Sequence, residues 1–322
     1  MKRILSNVAR FGISFGVLGL LIYLIGMDRI LRHFRNVDLG YVGIAMVIFV
    51  VIVALMAVRW HVLLASQKKS PGYPRLLTFY FIGFFFNNFL PTAIGGDVSR
   101  AYYAAKSSGD TPTSIGSVVF ERILGVLATL TLASISMIWV ISSLDVSLIS
   151  MTVLLFGGVV FALINLLNPV LFQFTSNLLA KITFFNIGEK INEVLSSIHV
   201  YRHKKSVILY GYLISILCQL LFVIMNFMLA KSLDLYHISF SQLLLVIPAT
   251  FVLGLLPSVN GLGVRESGYV LFLAQIFKST TADQAIALSL LNTSVPVIIS
   301  LIGGIMLIFY RHKPDNGVMM KA

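Results

Sequence analysis

The chain has 322 residues, of which 58% are hydrophobic and 11% charged, and its net charge is +12. Soluble domains carry roughly 25% charged residues, so most of this chain is expected to be solvated by lipid, and its apolar runs are continuous rather than alternating, which argues against a barrel. Its positive residues fall in short clusters between those runs, which points to membrane topology rather than nucleic acid; the single cysteine, Cys218, excludes an intrachain disulfide and a cysteine metal site.

A spanning helix needs about 20 mainly apolar residues. The first candidate is 10–27, read as a retained helix rather than a cleaved signal, and the second is 40–64. The next apolar run, 76–90, is too short to span and stops at Leu90-Pro91; a turn with Gly95 and Gly96 leads to a half-length segment, 97–106. Full-length candidates resume at 115–143 and 146–167. A connector at 168–205 follows, in which Ile187, Ile191, Val194, Leu195 and Ile198 recur at helical spacing, as in an amphipathic helix lying on the membrane surface. After the span 206–230, a second short run, 241–256, stops at Leu256-Pro257; a turn with Gly261 and Gly263 then leads to a half-length segment, 264–277. The last span is 284–310, where Asn292 and Pro296 mark a kink expected to face the second break.

These elements predict an all-α polytopic membrane protein, one integral membrane domain over 1–322, with about six full spans and two broken segments. Short helix, break and short helix occur twice, a pattern that points to a transporter binding site. If each broken segment re-enters from the side it left, the two hairpins are oppositely oriented and form an inverted repeat. Both termini then lie in the cytoplasm, and most of the 24 Lys and Arg residues fall on that side. Eight full crossings are the alternative.

The breaks read FLPTAIGGDVSRAYY from Phe89 and LLPSVNGLGVRESGY from Leu255. Pro91 and Pro257 each remove an amide and end a half-helix. Gly95, Gly96, Gly261 and Gly263 let the chain turn and let other groups approach the backbone. Asp97 is placed to cap the second half-helix. Amides at that helix start favour an anion, and Arg100, one turn on, supplies a bidentate donor suited to phosphate. Arg265 and Glu266 repeat the charge pair at the second break. A charge at mid-bilayer costs about 2.5–3.5 kcal/mol on insertion scales, so these residues must face protein or a wet cavity.

Glu121 and Arg122, in SVVFERILG, form a third charged pair. Adjacent helical residues diverge by about 100°, so one of the two is expected to reach the first break. Asn87 and Asn88 are expected to bond its free carbonyls, while Tyr102 and Tyr103 read as interface anchors. No metal-ligand spacing, P-loop or nucleophile elbow occurs, so no metal, cofactor or nucleotide-driven pumping is expected.

In these marks, NNFLPTAIGGDVSRAYY, then VVFERILG, then LLPSVNGLGVRESGY, the chain resembles the transmembrane region of lysylphosphatidylglycerol synthases, also called flippase-like. In bifunctional members a soluble domain transfers lysine from tRNA to phosphatidylglycerol, and the membrane region is thought to move the product lipid between leaflets. This sequence stops soon after its last span, so no soluble aminoacyl-transferase domain is expected. The resemblance implies a lipid translocase of the cell (inner) membrane. Its partners would be membrane lipids with phosphate-bearing head groups, not nucleic acid, and an oligomer is compatible. Arg100, Arg122 and Arg265 would hold the phosphate, with Asp97, Glu121 and Glu266 orienting them or receiving an amine. The alternatives are a lipid-modifying transferase and a non-transporting partner in envelope or polysaccharide assembly.

Overall fold

Asp38 opens the first long helix of the described residues, its side chain accepting from the Gly40 amide at 2.7 Å, and α1 then runs over Leu39–Ser66. The structure, a computed structural model, describes residues 33–89, 95–140, 146–180, 187–253 and 263–311. The expected span 10–27 and the residues Pro91, Pro257 and Gly261 lie outside the described residues. What is described is helical throughout, with no strand among the described residues.

The helices that follow are α2 (Tyr73–Phe89), α3 (Gly95–Ser108), α4 (Thr111–Val140), α5 (Val146–Leu167), α6 (Pro169–Ala180) and α7 (Ile187–His199). A 3₁₀ turn, Val200–His203, leads into α8 (Lys205–Ser232) and α9 (Phe240–Leu253). The short α10 (Val264–Tyr269) continues as a π-helical turn, Val270–Ile276, before α11 (Ala282–Arg311). Among the described residues four helices, α1, α4, α8 and α11, are long and apolar enough to cross a membrane, as expected for 40–64, 115–143, 206–230 and 284–310. The expected span 146–167 appears as α5, which bends by 89° into α6. Asn168 makes that corner: its side chain accepts from the Val170 amide at 2.9 Å, and Pro169 takes the first helical position, where a missing N–H costs nothing.

Large apolar side chains on the outward faces, such as Val47 on α1 and Ile305 and Phe309 on α11, are exposed, the reverse of a soluble protein. The principal core is built on Phe49, Trp60, Phe79, Leu229, Leu243 and Leu288, which come from α1, α2, α8, α9 and α11. α4 is the hub, touching α1, α3, α5, α7, α8 and α9.

Both half-length segments form where the pattern places them. α3 doubles back along α2: Gly96 packs on Asn87 and Gly83, Arg100 on Gly83, and Tyr103 stacks on Phe79 with ring centroids 5.4 Å apart. Positions rise along α3 as they fall along α2, so the two run antiparallel. In the connector, α7 docks its C-terminal half on the protein. Ile198 is buried against the α4 side of the bundle, Ser197 donates to the Pro112 carbonyl at 3.1 Å, and His199 Nδ1 lies 2.6 Å from the Leu166 carbonyl. Ile191, earlier on the same helix, is exposed.

Candidate functional site

The first broken segment and the middle of α4 converge on a buried chain of ion pairs. Glu121, 1% exposed, accepts at Oε1 from Arg59 Nε (3.1 Å) and Nη2 (2.8 Å), and at Oε2 from Arg100 Nη1 at 3.0 Å. Arg100 Nη2 donates to Asp97 Oδ1 at 2.6 Å, and Asp97 Oδ2 pairs with Arg122 Nη2 at 2.5 Å. The order is Arg59, Glu121, Arg100, Asp97, Arg122, drawn from α1, α3 and α4.

Neighbouring side chains brace this chain. Tyr80 donates its hydroxyl to Glu121, and its ring lies under the Arg100 guanidinium at 4.0 Å. Trp60 offers Arg100 a second face at 5.2 Å and fixes its own indole N–H on Ser117 Oγ at 2.9 Å. Arg59 Nη1 donates to Ser215 Oγ on α8 at 2.7 Å. Burying such charges away from water costs several kcal/mol per ion and is tolerated where the charges are paired and hydrogen-bonded, as they are here. Gly83 makes room for Arg100: a Cβ on Gly83 would come within 2.7 Å of Arg100 Cγ.

Three guanidiniums face two carboxylates, so the chain carries one positive charge in excess. Of the three, Arg122 is the exposed one, its side chain 46% accessible, while Arg59 and Arg100 are buried and both terminal nitrogens of Arg100 are engaged.

Of the six expected site residues, Asp97, Arg100, Glu121 and Arg122 come together here. Both members of the Glu121–Arg122 pair reach the first break, where one was expected. Glu266 lies in a second cluster: it is buried, accepts from the Gly263 amide at 2.6 Å and from Ser289 Oγ at 3.2 Å, and so caps its own helix. Arg265, beside it, is half-buried. Gly263 has φ +81°, a conformation glycine adopts without strain, and it forms the N-cap of α10.

Two local expectations are corrected. Asp97 does not cap α3, because that helix starts at Gly95; Asn87 does the capping instead, accepting from the Gly96 amide at 2.8 Å and leaving Asp97 for the arginines. Among the described residues Asn87 thus bonds an amide rather than a carbonyl, while Asn88 Nδ2 donates across to the Pro296 carbonyl on α11 at 3.4 Å. Asn292 does face the second broken segment, donating to Tyr269 Oη at 3.0 Å.

Arg59, Tyr80 and Ser215 were not among the expected site residues. Arg59 carried a signal: an ionisable residue deep in an apolar span is by default functional. Tyr80 and Ser215 carried none, since a lone hydroxyl in an apolar helix has no distinguishing pattern.

The sequence profile of the lysylphosphatidylglycerol synthase TM region matches residues 7–304. The chain is 32% identical over 140 residues to a UPF0104 membrane protein of Methanothermobacter thermautotrophicus, a match spanning 40% of each chain. To a UPF0104 membrane protein of the same organism it is 24% identical over 283 residues, covering 81% of this chain and 83% of the relative. A UPF0104 membrane protein of Methanocaldococcus jannaschii is 28% identical over 111 residues, 34% of this chain and 32% of the relative.

Proposed function

The chain belongs to the lysylphosphatidylglycerol synthase TM region family of multi-pass membrane proteins, and from that premise we propose that it is a lipid translocase, moving a phosphate-bearing head group between the leaflets of the cell membrane. The observation that carries this reading is the buried ion-pair chain at the first broken segment, which has one positive charge in excess and one half-exposed guanidinium, that of Arg122. A lipid phosphate brings the missing negative charge. Arg122 takes it by exchanging one bond to Asp97 for one to phosphate, while Arg100, Glu121 and Arg59 hold Asp97 and the hairpin in place. The second break, with Arg265 and Glu266, belongs to the same path. The broken segments act as oppositely oriented re-entrant hairpins, both termini being cytoplasmic.

Reconstitution into liposomes with labelled lipids in one leaflet tests this. The wild type should accelerate transfer of phosphatidylglycerol, or of another phospholipid in a panel, over protein-free liposomes, and should leave diacylglycerol, which has no phosphate, unaffected. A panel in which every phospholipid crosses at the protein-free rate would remove the reading.

A further inference from the structure

The second broken segment holds a buried polar ladder whose hydroxyl and amide groups, on Tyr269, Ser289 and Asn292, the phosphate reading does not use. Glu266 and Tyr269 stand one turn apart on α10, and Ser289 and Asn292 one turn apart on α11. Glu266 Oε1 meets Ser289 Oγ at 3.2 Å, and Tyr269 Oη meets Asn292 Nδ2 at 3.0 Å. These residues are nearly devoid of solvent contact: Glu266 and Ser289 are 0% exposed and Asn292 is 2% exposed.

One atom in the ladder lacks a partner, the side-chain carbonyl oxygen of Asn292. Turning its amide over does not satisfy it. Tyr269 already gives its hydroxyl proton to Asn226 Oδ1 at 2.9 Å, and Asn226 is held in that orientation because its Nδ2 donates to the Phe222 carbonyl at 2.9 Å. Leaving a buried acceptor unsatisfied costs about 1–3 kcal/mol. The asparagine is therefore kept at a cost, beside a carboxylate that is itself expensive to bury.

We propose that this ladder is a sodium site, with Glu266, Ser289, Asn292 and Tyr269 supplying oxygen. The donor set decides the class of ion. Carboxylate, hydroxyl and amide oxygens are hard ligands, and no group of three or more His, Cys, Asp or Glu among the described residues suits a transition metal. One carboxylate balances one positive charge, and the guanidinium of neighbouring Arg265 opposes a second, which favours a monovalent ion. Ser289 can donate to the carboxylate and still offer a lone pair, and Tyr269 Oη has one lone pair beyond its bond from Asn292. The site goes beyond the lipid reading and is measured without lipid transfer.

The test is binding of radioactive sodium to the purified full chain in detergent, with choline chloride holding ionic strength constant. The wild type should bind sodium saturably, one ion per chain, displaced by unlabelled sodium and not by choline. Asn292→Leu, and Ser289→Ala as a milder variant for use if the first does not fold, should each weaken binding about 10- to 100-fold, the loss typical when a metal site's supporting group is removed. No saturable binding by the wild type would overturn the assignment. So would undiminished affinity in a folded variant, or a response to pH that needs no sodium.

Discussion

Glu121 receives two arginines and a tyrosine, so the charge balance of the first site turns on it. Replacing it with glutamine leaves Arg59 and Arg100 buried without their shared counter-charge. Breaking a buried pair by removing one partner costs about 3–5 kcal/mol, so Glu121→Gln should lower stability by that order in thermal or denaturant unfolding of the purified protein. A loss below about 0.5 kcal/mol, the scatter of ordinary surface substitutions, would mean that the arginines find other partners. Arg122 differs because it is half-exposed and, among the described residues, pairs with Asp97 alone, so its removal should leave stability nearly intact. Gly83 is a third residue-scale case: alanine there meets Arg100 Cγ and Cδ, and it should both destabilise the protein and slow lipid transfer, whereas alanine at Gly157, with nothing within 4 Å of the added carbon, should do neither.

At the scale of elements, the α2–α3 hairpin shows what the residue pattern can and cannot specify. Leu-Pro followed by paired glycines marked where the helix stops, and α2 and α3 begin and end within a few residues of that expectation. Which side chain caps α3 was not legible, because asparagine and aspartate offer the same acceptor; the choice falls to Asn87 once the arginines claim Asp97. The docking of α7 was equally hidden: an apolar stripe has the same spacing whether lipid or protein covers it. The start of α4 carries a pH prediction. Asp110 caps it, accepting from the Thr113 amide at 3.0 Å, and pairs with Lys69 at 3.2 Å. Slight burial pushes its carboxyl up, but the Thr113 amide and Lys69 outweigh that and hold it below the usual carboxylate range. A depressed folded value contributes stability above the unfolded value, about 3.9 for Asp, and that contribution is lost as pH falls through the folded value. Asp110→Asn keeps the cap and removes the charge, so its destabilisation should be present at pH 6 and shrink below about pH 4. An equal deficit at both pH values in thermal unfolding would contradict this.

Across the whole molecule, the apolar runs gave most of the architecture in advance, since twenty lipid-facing residues leave few alternatives to a helix. Grouping of the charges was only half legible. Asp97, Arg100, Glu121 and Arg122 share a neighbourhood in sequence and meet in space. Arg59 joins them from a helix far earlier in the chain, and nothing in its local sequence names a partner. Glu266 resembles Asp97 in its motif yet serves its own helix and α11, so similar motifs at the two breaks take up different bonds.

The most direct trial of the lipid reading is the leaflet-transfer rate of Arg122→Ala beside the wild type in matched liposomes. Losing a charge-assisted hydrogen bond worth ~1.5–3 kcal/mol should slow transfer about 10- to 100-fold, with partial recovery in Arg122→Lys and unchanged thermal unfolding. A folded Arg122→Ala protein that moves lipid at the wild-type rate would contradict the account.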